Sequence, residues 1–210
     1  VLSEADHNVA GTLRWALARA GDEPAALLAE GLASPVPAVR ERAVKALAEL
    51  PGDEAAAQLR HALDSPDAVV RGHAAPALGS RGVSDAVPTL IDMVVEGRND
   101  TDAADALSVL AADATTADRI ANALVGRIAH DSTGAPARGR LTQALAGIPG
   151  ERASGALVEL TEDEDRAVAL TATYLLRLRE AGDVPAEKAS TGSCAPGTIA
   201  DRDEQRTVEP

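Results

Sequence analysis

A period near 30 residues runs through this chain, and no other feature limits its fold so tightly. Ser34–Leu50 reads SPVPAVRERAVKALAEL, and the segment from Ser65 reads SPDAVVRGHAAPALGSR. Ser, Pro, Val, Arg, Ala, Ala and Leu recur between them at a spacing of 31. A second correspondence lies at an offset of 98, where ALAELPGDEAAAQL, from Ala46, matches ALAGIPGERASGAL, from Ala144. That match crosses a helix end, a Pro-Gly turn and the next helix start. With 46 alanines in 210 residues some similarity arises from composition, but the matched turn is not alanine-rich.

Aligned on one core position, the repeats give Leu17, Leu47, Leu78, Leu107, Leu145 and Leu176, at steps of 30, 31, 29, 38 and 31. Each step holds two apolar-periodic segments. Val39, Ala43, Ala46, Leu47 and Leu50 fall on one face of a helix, as do Ala25, Leu28, Ala29 and Leu32 in the segment before. Pro37 suits a first helical turn, and Gly52, Gly82 and Gly150 suit unit boundaries. β-branched and aromatic residues do not cluster, so strands have no support. The spacing predicts an all-α solenoid of about five helical hairpins over residues 1–181, with Val1–Gly21 as the second half of an incomplete unit. The fourth complete unit carries a longer first helix, predicted at Thr116–His130. Residues 182–210 lose the periodicity and read as a flexible acidic and polar tail.

The charge balance, 20 Lys+Arg against 33 Asp+Glu for a net −13, argues against a nucleic-acid binder, which needs clustered basic residues. Eighteen of the 20 basic residues are arginine, which fits either a salt-rich cytoplasm or a GC-rich genome. The single cysteine, Cys194, cannot form an intramolecular disulfide, and Val1–Ala20 lacks the apolar core of a signal peptide. A cytoplasmic location is expected.

The signature Leu63, Asp64, Ser65, Val70, Arg71, Ala74, Ala77, Leu78, with Leu32, Ser34, Val39, Arg40, Ala43, Ala46 and Leu47 one unit earlier, resembles HEAT repeats of the short form named for phycobilisome lyases. The resemblance implies a ladder in which a loop Asp meets a following Arg. The Arg position holds Arg40, Arg71 and Arg138, but Asp100 and Ala169 in the other two units. The Asp position holds Ser34, Ser65 and Ser132, with Asp163 only in the last. The ladder is therefore expected to be partial, because Ser caps a helix but cannot form the charge-assisted pair.

Catalytic constellations are scarce. His7, His61, His73 and His130 form no HExxH, no His-Glu dipeptide occurs, and there is no GxSxG. The acidic run Glu162–Asp165 lacks the alternation of a calcium loop and reads as a helix N-terminus. Only Trp15 and Tyr174 are aromatic, too few for base stacking. No cofactor or metal is expected. A helical stack exposes a groove along its second helices, where Arg42, Lys45, His73, Arg140 and Arg177 are the expected partner-binding side chains. The expected function is a non-catalytic scaffold that binds a protein partner. The resemblance also implies an alternative, an accessory subunit acting on a tetrapyrrole-carrying protein.

Overall fold

A computed structural model describes residues 23–130 and 132–182. The expected half-unit with Trp15 and the expected tail with Cys194 lie outside the described residues. Among those described there are ten α-helices and no strand. They pair as α1 (Glu23–Leu32) with α2 (Pro37–Glu49), α3 (Asp53–Leu63) with α4 (Ala68–Gly79), and α5 (Val87–Glu96) with α6 (Asp100–Leu110). The last two pairs are α7 (Ala114–Ile128) with α8 (Ala135–Ala146), and α9 (Glu151–Glu159) with α10 (Arg166–Gly182). The longest first helix, α7, falls in the expected unit, two residues earlier at each end than expected.

Helix ends follow from local chemistry. Pro37 and Pro136 stand in the first turns of α2 and α8, where a missing N–H costs nothing. Asp67 and Asp113 accept hydrogen bonds from Val69 N and Thr116 N at the starts of α4 and α7. Leu50 turns extended ahead of Pro51 and ends α2. Gly52 and Gly150, 98 residues apart, then open the next helices with nearly the same backbone, φ 96° and ψ 165° against φ 101° and ψ 166°. Positive φ at both makes glycine the residue of choice.

The core runs lengthwise through the stack. Leu47, Leu78, Leu107 and Leu145 are all fully buried, while Leu176, in the last helix described, is only partly so. Buried alanines fill most positions beside them, which lets the helices lie close. At Gly79 a Cβ would meet the Ala106 Cβ at 2.7 Å, so α4 and α6 touch almost backbone to backbone.

Second helices stack on second helices: α2 on α4, α4 on α6, and α8 on α10. First helices do the same at the two ends, α1 on α3 and α7 on α9. In the middle the pattern shifts, and α8 packs against α5 as well as α6. The first two units and the last two thus form equivalent pairs, joined through an offset third unit.

Candidate functional site

The loops between the two helices of each unit form one edge of the stack. Arg40 donates through Nε at 2.8 Å and Nη2 at 2.7 Å to Asp67 Oδ2 of the next unit, and through Nη1 to the Ser34 carbonyl of its own loop at 2.9 Å. This corrects the reading that serine replaces the acid in this loop. Ser65 instead accepts from Asp67 N and shapes the turn, and the carboxylate stands two residues further on. The Arg40 guanidinium holds the Asp67 carboxyl below the usual range. Arg71 donates to the Ser65 carbonyl. Arg138 pairs with Asp163, whose other oxygen accepts from Asp165 N. The acidic run is therefore a loop brace followed by a helix start. Arg–Asp pairs stand at the two ends of this edge, and the Gly97–Asn99 loop lies between them.

Beside that edge, the second helices and α5 enclose an open depression of ≈ 630 Å³. Glu41 and Lys45 from α2, His73 from α4, and Asp92, Glu96 and Arg98 at its far wall line it. Lys45 donates to Glu41 at 2.5 Å and lowers the Glu41 pKa. His73 is half-buried. Burial pushes its pKa down, nearby Lys45 adds to that, and the carboxylates of Glu41 and Asp102 oppose it. The structure thus brings two of the expected groove residues, Lys45 and His73, into one depression. Arg42 lies beside Lys45 on α2 and is partly buried, while Arg177 is exposed on α10, at the other end of the stack.

Arg140 corrects the expectation most clearly. It does not stand open to the groove: its Nε donates to the Val94 carbonyl at 2.8 Å and its Nη2 to that of Val95. Those carbonyls belong to the last turn of α5, which ends on Gly97 in the left-handed region. A helix leaves its final carbonyls without intrahelical donors, and here an arginine from the following unit supplies them. A Cβ at Gly97 would lie 3.0 Å from the Arg140 Cζ, so the glycine also makes room for the guanidinium.

The same device appears twice more, at residues the sequence reading did not single out for this role. Arg81 Nη2 lies 3.3, 2.8 and 2.6 Å from the carbonyls of Leu47, Ala48 and Leu50. Arg179 Nη2 lies 3.5, 2.6 and 2.6 Å from those of Leu145, Ala146 and Ile148. Residue for residue, the second set is the first displaced by 98. The signal was present in the sequence, since the offset that matches the Pro-Gly turns also sets Arg81 over Arg179. Arg179, on a second helix, closes the end of α8.

Among the described residues no three His, Cys, Asp or Glu side chains are grouped to hold a metal ion. His61 and His130 are exposed, the latter with the Ser132 hydroxyl 2.9 Å from Nδ1. No described helix is long and apolar enough to cross a membrane.

The family model described as HEAT repeats matches residues 1–75 and 24–111. Its description names HEAT repeats and does not specify the short lyase-type form. No curated protein matches the chain. Among solved structures, the chain is similar to the crystal structure of an engineered protein, with 23% identity, a TM-score of 0.44, and coverage of 86% of this chain and 94% of the other. HEAT repeats generally mediate contacts between proteins and are typically non-catalytic. With matches spanning more than half of its length and an all-α stack of helical hairpins, the chain belongs to the HEAT-repeat family.

Proposed function

We propose that this protein is a scaffold that binds a protein partner along the face of its second helices. One observation carries the reading: second helices from successive units lie side by side and leave a wide polar depression, at Glu41, Lys45 and His73, open to solvent. Its lining mixes both charges and includes a half-buried histidine, a surface suited to hydrogen bonds and ion pairs with a polypeptide. The partner contacts originally expected of Arg140 pass to Lys45, His73 and the exposed Arg177, because Arg140 is committed to the end of α5. We place this scaffold in the cytoplasm as part of the same proposal.

Site-specific photo-cross-linking tests it. A photoreactive residue replaces Lys45 on the groove face or Gln58 on a first helix, and each variant is incubated in extract of the source cell. The reading expects the Lys45 position to label a discrete protein that the Gln58 position does not. Equal labelling at both positions, or labelling from Gln58 alone, would remove the groove as the binding face.

A further inference from the structure

The groove changes character at its last described helix. On each second helix, the residue two before the core leucine is exposed or partly exposed. That residue is Lys45, Pro76, Asp105 and Gln143 in the first four units, and Tyr174 in α10. Six residues before the leucine, Glu41, Gly72, Thr101 and Gly139 give way to Leu170. Two after it, the series ends in Leu178. Leu170, Tyr174 and Leu178 thus make an i, i+4, i+8 stripe, exposed at 59%, 62% and 50%. The chain has one tyrosine, and it stands largely in solvent at the centre of this stripe.

On α10 itself the exposed charges described are positive, while the acids Glu162, Glu164 and Asp165 precede it in the loop. The exposed side chains described on α10 are Arg166, Ala167, Leu170, Tyr174, Arg177, Leu178 and Ala181, so the two exposed charges that flank the stripe on its own helix are arginines. This is unusual in a chain of net charge −13. Beside it, α8 offers a low floor, since nothing lies within 4 Å of where a Cβ at Gly139 would sit. A ridge of large side chains at helical spacing next to a low floor suits the packing of another helix. Tyrosine at the centre of an apolar patch is a frequent anchor of such contacts.

We infer that this end of the groove docks an amphipathic helix whose apolar stripe lies on Leu170, Tyr174 and Leu178 and whose flanks carry Asp or Glu facing Arg166 and Arg177. The inference rests on the groove reading above and names the partner's chemistry. A second copy of the chain fits poorly, because a two-fold pairing through α10 would bring the same arginines together without their acids.

A displayed library of random 16-residue peptides, selected on the full 210-residue protein, provides the test. Counter-selection uses Leu170→Ser/Tyr174→Ser/Leu178→Ser, with circular dichroism to check its helical content. Tyr174→Ser alone serves as the milder variant. Clones specific to the parent should carry apolar residues at i, i+3, i+4 and i+7 with an excess of Asp and Glu. A synthetic peptide of the leading sequence should lose at least tenfold in affinity against Tyr174→Ser, and should bind the parent more weakly as salt rises.

Enrichment of Lys- or Arg-rich clones, clones that bind parent and stripe variant alike, or no enrichment would overturn the inference. So would concentration-dependent dimerisation of the parent, seen by sedimentation and abolished by Tyr174→Ser, because the occupant would then be a second copy. None of these results touches the Lys45 cross-linking test. A failed selection with Lys45 labelling intact removes the α10 site alone.

Discussion

Three arginines in this molecule work on helix ends other than their own. A guanidinium offers five donors in a rigid fork, and Arg81, Arg140 and Arg179 each turn that fork onto the last carbonyls of a helix in an earlier unit. Arg81→Ala leaves carbonyls beside Leu50 without these donors and should cost about 1–3 kcal/mol. Arg179→Ala should cost a similar amount at the end of α8. Arg177→Ala, on the exposed face of α10, should stay within about 0.5 kcal/mol. Urea titrations of the three variants check this contrast, and equal losses at 81 and 177 would contradict it. His73 supplies a pH dependence. Its folded-state pKa lies below the ordinary 6.5 because burial disfavours the imidazolium. Below about 6.5 the unfolded chain therefore binds more protons than the folded one, and stability falls as pH drops through that window. The depressed carboxyls of Glu41 and Asp67 act in the same direction at lower pH. Melting temperature should decline from pH 7 to pH 5. His73→Gln should flatten the upper part of that decline and leave the lower part.

At the scale of the element, two glycines with the same helical backbone should respond oppositely to alanine. Gly79 lies where α4 meets α6, and a methyl there would overlap the Ala106 Cβ. Gly79→Ala should destabilise by about 1–3 kcal/mol through overpacking. Gly126, on the exposed side of α7, has nothing within 4 Å of the Cβ position. Gly126→Ala should stabilise by up to about 1 kcal/mol, the difference in helix propensity. Thermal melts of the two variants give the signs directly. Helices of this kind were legible in the sequence because their buried positions recur: Leu47, Leu78, Leu107 and Leu145 repeat at the core, and Pro37 and Gly52 mark ends. Helix-to-helix contacts were legible only in part. Arg140 sits at a helical position facing away from the leucines, yet whether solvent or a carbonyl meets it depends on how α8 lies against α5. That offset is a tertiary fact that no spacing within α8 records. Asp67 was missed for a smaller reason: the acid stands two residues past the alignment position, and the reach of Arg40 absorbs the difference.

Across the whole molecule, two equivalent pairs of units flank a third that breaks register. Solenoids draw stability from neighbouring interfaces rather than one central core, so each pair has its own run of buried leucines and its own arginine-closed helix end. Among the described residues the face of the second helices carries a mixed-charge depression towards the amino-terminal side and an apolar stripe on α10. The central claim is that this face, rather than the first helices, receives a protein partner. Amide hydrogen exchange of the full chain, free and bound to the partner that the Lys45 cross-link identifies, tests it most directly. Slowed exchange on α2, α4, α6, α8 and α10 and on the α5 wall of the depression is the predicted result; protection centred on α3, α7 and α9, with the second helices unchanged, would contradict it.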